Sequence, residues 1–192
     1  MIGIVTFHTA LNYGAVLQAY GLQKFLDNNG YKNEIINYDC PQFKKDYAPV
    51  KITIHIKRMI RSFKSRKITI QLRDKYREFV QKDLICSKKQ YDEENIYNAD
   101  GQYDFYITGS DQVWDPYCAG FDAVYFLNFV TDSNKKISYA TSFDQMHIPE
   151  TMITEYKRRL SSFNAFSCRE KQGADMISKI TNRNVNVNVD PT

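Results

Sequence analysis

The fold of this chain is decided by residues 2–38, which run IGIVTFHTALNYGAVLQAYGLQKFLDNNGYKNEIINY. Residues 2–7 form a short β-branched run closed by a polar loop, which predicts a buried strand. Apolar residues then recur at helical spacing over residues 15–26, with Asn12 placed to cap the start of the helix and Gly30 to end it. Residues 34–38 predict a second strand. The stretch is therefore a β-α-β unit, and such units build parallel sheets.

The same rhythm returns in the second half of the chain. Period-2 or β-branched runs predict strands at residues 103–108, 136–140, 165–168 and 185–189, and helical spacing predicts helices at 150–163 and 170–179. A length of 192 residues fits one domain. We therefore predict a Rossmann-like, three-layer α/β/α domain with a mostly parallel sheet over residues 1–192.

A basic block separates the two halves. Residues 44–89 hold 15 Lys/Arg against 4 Asp/Glu, a local charge of +11 that leaves −7 for the rest of a chain whose total is +4. Apolar spacing within the block predicts two amphipathic helices, at 52–63 and 68–80, inserted after the second strand. They could lie on anionic lipid or pack as a solvated hairpin against the sheet edge, and the second interpretation is favoured. The block has no nucleic-acid reader motif, so we expect no nucleic-acid partner.

Cysteine and histidine spacing indicates neither a disulfide framework nor a metal site. The four cysteines are far apart without a C-x-x-C pair, and the three histidines lack ligand spacing. The start of the chain lacks a basic n-region, and no apolar run approaches the ~20 residues that span a bilayer. We expect a cytoplasmic protein with reduced thiols, in peripheral contact with the inner membrane face if the basic helices bind lipid.

The sharpest candidate site follows the strand at 103–108. Residues 109–114 read Gly-Ser-Asp-Gln-Val-Trp, which combines a hydroxyl, a carboxylate, an amide and an aromatic ring at a strand end. Sugar sites use this mixture, and Asp111 could act as a general base on a sugar hydroxyl. In the alternative interpretation, Asp111 caps a turn and Trp114 belongs to the core.

Three further strand ends carry polar residues, in the segments 8–14, 141–144 and 169–170. The loop 8–14 could bind an anion at the helix N-terminus, although it lacks the G-x-G-x-x-G fingerprint and could equally be a plain turn. His8 could be a general acid or base, or a hydrogen-bonded structural residue. Arg169 could clamp a phosphate or carboxylate, or form an internal salt bridge with a carboxylate such as Asp190.

Four motifs in order resemble the polysaccharide pyruvyl transferase family. They are Gly14 to Tyr20, Gly109 to Trp114, Ser167 to Glu170 with Gly173 beyond it, and Val189 to Thr192. The resemblance runs from residue 1 to residue 192. It implies one lobe of a two-lobed architecture similar to GT-B glycosyltransferases, with the Asp-Pro-Thr strand near the middle of the full protein and the second lobe outside this chain.

The resemblance also implies a reaction. Pyruvate passes from phosphoenolpyruvate, the donor substrate, to a saccharide acceptor as a ketal, with release of phosphate and with no further cofactor. The donor-binding arginines and histidine are expected in the other lobe, so this lobe would form mainly the acceptor cleft and would be inactive alone. A lipid-linked acceptor would match the basic helices. The implied site comprises catalytic Asp111 and His8, no metal ligand, and substrate-binding Asn12, Tyr13, Gly14, Gly109, Ser110, Gln112, Trp114, Arg169 and Asp190.

Two other function classes stay open. A GT-B-like glycosyltransferase using a nucleotide sugar would share the fold, so fold alone does not exclude it. A non-enzymatic module that binds anionic surfaces through the +11 block is the third hypothesis, and it predicts binding that weakens steeply with salt.

Overall fold

The sheet contains seven parallel strands in the order β3-β2-β1-β4-β5-β6-β7. A computed structural model of the chain describes residues 1–46, 71–143 and 147–192. The strands are β1 (Ile2–Val5), β2 (Asn33–Tyr38), β3 (Cys86–Tyr91), β4 (Phe105–Asp111), β5 (Lys136–Thr141), β6 (Ser167–Cys168) and β7 (Asn186–Val187). The helices are α1 (Tyr13–Asn28), α2 (Pro41–Asp46), α3 (71–83), α4 (Glu150–Leu160) and α5 (Lys171–Thr181). The predicted Rossmann-like fold is confirmed.

The β-α-β unit at the start of the chain forms as its sequence predicts. Asn12 has an extended backbone, and its side chain accepts from the N–H groups of Gly14 and Ala15, which caps α1. Gly30 has φ +81°, and the Tyr31 N–H donates to the Leu26 carbonyl at 3.0 Å, which closes the C-terminal turn. Local capping signals therefore fix both ends of α1.

The two faces of the sheet bury different halves of the core. Ile4, Ile35 and Ile107 lie side by side in β1, β2 and β4 and pack under α1 and α3. Their chain neighbours, such as Val5 and Ile36, point to the opposite face, which α4, α5 and the 112–130 segment cover. The central strands β1, β2, β4 and β5 are largely buried on both faces, as is usual in parallel sheets.

The chain enters the basic block through the short helix α2, which begins at Pro41, a position where the missing proline N–H costs nothing. The helical insertion does not extend to residue 89, because residues from Cys86 onward form β3 at the edge of the sheet. The second predicted helix is present as α3, and the first, at 52–63, lies outside the described residues.

The apolar side of α3 is occupied by the core. Tyr76 is buried, and Leu72, Phe79 and Val80 pack partly buried against the cluster beneath α1. This favours the packed interpretation of α3 over one that offers these side chains to lipid. Among the described residues, no helix combines the length and apolar character needed to cross a membrane.

Candidate functional site

The sheet has a topological switch point between β1 and β4. The chain runs outward from β1 through β2 to β3 on one side, and from β4 through β7 on the other. Ligands of open parallel sheets bind beyond the carboxyl ends of the strands at such a point. The segments that emerge there, after Val5 and at Gly109–Asp111, are two of the segments the sequence singled out.

The end of β4 requires a glycine. Gly109 has φ +110°, and a Cβ at this position would lie 2.1 Å from the carbonyl oxygen of Tyr139 in β5. The next peptide bond, Gly109–Ser110, is cis, and Asp111 has φ +86°. This irregular backbone presents the Ser110 and Asp111 side chains at the edge of the sheet.

A buried glutamine joins β1 to β4. Gln18 of α1 is 2% exposed; its amide donates to the Thr6 hydroxyl at 2.8 Å and to the Ala15 carbonyl at 2.6 Å. Its amide oxygen accepts from the Ser110 hydroxyl at 3.1 Å, and the Thr6 hydroxyl donates to the Ser110 carbonyl at 3.2 Å. Gln18 therefore holds the two strand ends in register below the surface of the crevice.

Arg169 is the centre of the outer part of the site. Its guanidinium donates to the Asp190 carboxylate at 2.9 Å, to the Glu170 carboxylate at 2.7 Å and to the Ser142 hydroxyl at 2.7 Å. The Asp190 carboxylate lies 3.5 Å from the Ser110 hydroxyl. The acidic cluster, as we call Ser110, Asp111, Ser142, Arg169, Glu170 and Asp190, thus spans the ends of β4, β5, β6 and the segment after β7.

Asp111 and Asp190 of the acidic cluster have pKa values that shift in opposite directions. Burial raises the pKa of Asp111, and the charge of Asp190 adds to this, while the Gln112 N–H at 2.8 Å and Arg169 only partly offset it. Burial also opposes ionisation of Asp190, but hydrogen bonds from Thr192 and Arg169 outweigh burial and lower its pKa. Asp111 therefore takes up a proton more readily than Asp190 does.

The structure brings together the predicted residues Gly109, Ser110, Asp111, Arg169 and Asp190. The internal salt bridge of Arg169 with Asp190, one of the two predicted alternatives, is present and lies at the strand ends. Gln112 flanks the cluster; its backbone N–H donates to Asp111, and its amide oxygen accepts from the Cys118 thiol at 3.5 Å.

Trp114 does not lie in the crevice. Its side chain is 0% exposed, its indole N–H donates to the Tyr125 carbonyl at 3.1 Å, and its ring stacks on Phe126. The expected stacking face for a sugar is therefore wrong for this residue, because every side of the ring is taken up by the core. The alternative that placed Trp114 in the core is the one observed.

The loop 8–14 lies on the other side of β1 from the cluster. His8 is 1% exposed, with Nε2 3.3 Å from the Asn37 amide oxygen of β2, and burial lowers its pKa. The N–H groups of Gly14 and Ala15 are used by the Asn12 cap, so the predicted anion would have to compete with that cap. Tyr13 is exposed and packs its ring 4.9 Å from that of Tyr76.

Sequence reasoning gave no role to four polar residues of this region: Thr6, Gln18, Ser142 and Glu170. Gln18 carried a signal, because it interrupts the apolar stripe of α1 at a buried position. Glu170 lies in a strand-end segment that the sequence did identify, but its contact with Arg169 needed the fold. Within the described residues, no group of three or more His, Cys, Asp or Glu could hold a metal ion.

Comparison with known proteins gives one match. A family model described as polysaccharide pyruvyl transferase matches residues 12–192, which covers nearly the whole chain. No curated protein and no solved structure matches the chain. The matched range contains α1, the end of β4, Arg169 and Asp190, and therefore all of the acidic cluster.

Proposed function

This chain belongs to the polysaccharide pyruvyl transferase family, and from that premise we propose that it serves the transfer of pyruvate from phosphoenolpyruvate to a saccharide as a ketal. We assign residues 1–192 mainly to the acceptor side of the cleft. The observation that carries this assignment is the composition of the acidic cluster. Arg169 bonds to two carboxylates and one hydroxyl, and the Asp111 carboxylate and the Ser110 hydroxyl lie beside this group.

The charge of the cluster favours an acceptor over the donor. Phosphoenolpyruvate carries a phosphate and a carboxylate, and both would meet more negative than positive charge beside Asp111, Glu170 and Asp190. The one guanidinium is already shared by two carboxylates at 2.7 and 2.9 Å. Saccharide hydroxyls, in contrast, donate hydrogen bonds to carboxylates without a charge penalty.

Asp111 is the proposed base for the attacking hydroxyl. Its Oδ1 accepts from the Gln112 N–H, and among the described residues no hydrogen bond reaches its Oδ2. Its raised pKa makes it a better proton acceptor than an ordinary aspartate, because a base works best when its pKa approaches the working pH. In the balanced reaction, a proton adds to the methylene carbon of phosphoenolpyruvate, and a saccharide hydroxyl attacks the neighbouring carbon as it loses its proton to Asp111. Attack by a second hydroxyl, with departure of phosphate and loss of that hydroxyl's proton, completes the ketal.

The donor would be held elsewhere. Its phosphate and carboxylate require cations, and we propose that most of them come from a second lobe facing this one, so that residues 1–192 alone would be inactive. Contact of a lipid-linked acceptor with an anionic membrane is part of the same proposal. It rests on the seven Lys/Arg and no Asp/Glu of residues 47–70, which lie outside the described residues.

The test is Asp111→Asn in the full-length protein, with phosphate release from phosphoenolpyruvate as the measurement and the saccharide fraction of the producing cell as acceptor. We expect a loss of about 100-fold or more in kcat, the usual contribution of a general base. Asp175→Asn, on the exposed side of α5, is the matched control and should keep its rate. If Asp111→Asn released phosphate at the wild-type rate, Asp111 would be excluded as the base.

A nucleotide-sugar transferase is the second candidate, because β3-β2-β1-β4-β5-β6 is also the strand order of nucleotide-binding sheets. A thermal-shift comparison separates the two. Stabilisation by phosphoenolpyruvate but not by a nucleotide sugar supports pyruvyl transfer, and the reverse result supports the second candidate.

A further inference from the structure

A cavity of about 670 Å³ lies on the side of β1 opposite the acidic cluster. His8 after β1, Asn37 of β2 and Gln90 of β3 line it at the carboxyl ends of those strands, and α2 and α3 form its outer walls. The volume falls within the range of small-molecule sites, ~300–1,000 Å³. We call it the basic cavity, after the charges described next.

Positive charge dominates the wall of this cavity. Among the described residues, Lys44, Arg73 and Arg77 line it, and the one carboxylate of this described lining is that of Asp39. Asp39 is paired with Lys44 at 3.0 Å and also accepts from the Gln90 amide at 3.1 Å. The described part of the lining therefore carries three cationic side chains and one carboxylate. Since Arg73 and Arg77 are four residues apart on α3, they lie on the same helix face.

The rest of the lining is polar at the strand ends and apolar beside α3. His8 and Asn37 bond to each other at 3.3 Å, and burial lowers the pKa of His8, so that this wall is neutral at physiological pH. Leu11, Phe43 and Val80 supply the apolar part. Such a pocket repels a fully hydrated cation and suits an anion attached to a larger organic group.

We propose that the basic cavity binds the phosphate group of a phosphate-bearing ligand, at a site distinct from the acidic cluster. Guanidinium pairs recognise phosphate oxygens through bidentate, charge-assisted hydrogen bonds. Adjacent parallel strands are ~4.8 Å apart, so a ligand of a few sugar units could reach from this cavity across β1 to the cluster. Only that last extension rests on the proposed function; the phosphate site itself does not.

Titration calorimetry of inorganic pyrophosphate into the purified protein tests the site. We expect Arg77→Gln to weaken binding at least about threefold and Asp39→Asn to strengthen it about twofold, because each removes one charge from the cavity wall. Lys75→Gln is the matched control; it carries the same charge change on the same helix but does not line the cavity, and it should bind as the wild type does.

The opposite signs of the two effects protect the test against misfolding, since a damaged protein would not bind pyrophosphate more tightly. Equal affinities in Arg77→Gln, Asp39→Asn and wild type would overturn the proposal, as would the absence of any heat at millimolar pyrophosphate. Binding should also weaken as salt is added.

Competition identifies the source of the phosphate. Displacement of pyrophosphate by phosphoenolpyruvate would assign the cavity to the donor, and displacement by a sugar diphosphate would assign it to a phosphate-bearing saccharide. Displacement by neither would overturn the ligand class. Asp111→Asn should leave pyrophosphate affinity unchanged, so failure of the acceptor assignment and failure of the phosphate site give different results.

Discussion

The two sides of β1 present opposite chemistry at the same edge of one sheet. On the β4–β7 side, Arg169 bonds to the Glu170 and Asp190 carboxylates and the Ser142 hydroxyl at 2.7–2.9 Å, and Asp111 lies beside them. On the β2–β3 side, the described residues that line the cavity include Lys44, Arg73 and Arg77 and one carboxylate, that of Asp39. On the first side, polar side chains at the strand ends bond to one another. On the second side, α2 and α3 form the outer walls of a cavity over the strand ends.

The difference shows how a parallel sheet can separate charge with very few residues. The Thr6 hydroxyl accepts from Gln18 and donates to the Ser110 carbonyl of the acidic cluster, while His8, two residues later, lines the basic cavity. Because both lie at the end of one strand, a ligand with a neutral polyol end and an anionic end would be oriented by β1 itself. A variant that perturbs one side of β1 therefore leaves the other side as an internal reference.

The largest expected effect comes from Gly109→Ala, which breaks the acidic side. Its Cβ would meet the Tyr139 carbonyl oxygen at 2.1 Å, and the backbone has φ +110°, so strands β4 and β5 would have to separate. We expect a loss of about 3 kcal/mol or more in the free energy of unfolding, measured with urea.

Gly101→Ala is the control for that change. Gly101 also has a positive φ, +76°, but nothing lies within 4 Å of the added Cβ. The conformational penalty alone should cost about 1–2 kcal/mol. If both variants lost the same stability, the close approach of β4 and β5 at Gly109 would carry no special weight.

Local signals explain which parts of this comparison the sequence could predict. The ends of α1 followed from Asn12 and Gly30, whose caps depend only on neighbouring residues. Edge strand β3 was missed because its sequence, CSKKQY, has three consecutive exposed polar residues and continues a basic block that is helical in α3. An edge strand needs only one partner, so its sequence carries little of the apolar pattern of a central strand.

The residue types of the site could be predicted from the sequence better than the directions in which their side chains point. Ser110, Asp111, Arg169 and Asp190 converge because parallel strand ends share one edge, a rule that topology supplies. Trp114 was misassigned since composition does not tell which way a side chain after a strand points. The basic cavity was also missed, because Arg73 and Arg77 line a cavity only once α3 is packed over β1–β3.

A second pair of variants separates the two sides through buried glutamines of α1. Gln18 joins Thr6 to Ser110 on the acidic side, and Gln23 bonds the backbone of Ile85 on both its N–H and its carbonyl, just before β3. Replacing either by Leu leaves buried polar partners unpaired and should cost about 1–3 kcal/mol.

Their functional readouts should differ even though their stability losses are alike. Gln18→Leu should reduce phosphate release in the full-length protein and keep pyrophosphate affinity, while Gln23→Leu should change pyrophosphate affinity more than phosphate release. The same pattern of losses in both variants would mean that the two sides of β1 act as one unit.

The smallest expected change in the free energy of unfolding, and the one of opposite sign, belongs to Asp111→Asn. Burial raises the pKa of Asp111 in the folded protein, so the folded state prefers the neutral carboxyl. The stability that this preference contributes is complete below the ordinary aspartate pKa of ~3.9. It is lost as the pH rises through the pKa of Asp111 in the folded state. Asparagine stays neutral and can still accept from the Gln112 N–H. The variant should therefore be more stable than wild type at pH 7, by up to about 1 kcal/mol, and this advantage should shrink towards pH 4 in urea titrations at both pH values.

A protein that is stabilised at pH 7 while its phosphate release falls would show that the cluster holds Asp111 in a state suited to accepting a proton at the expense of stability. A loss of stability at pH 7 would instead make Asp111 a structural partner of Arg169, as Asp190 is.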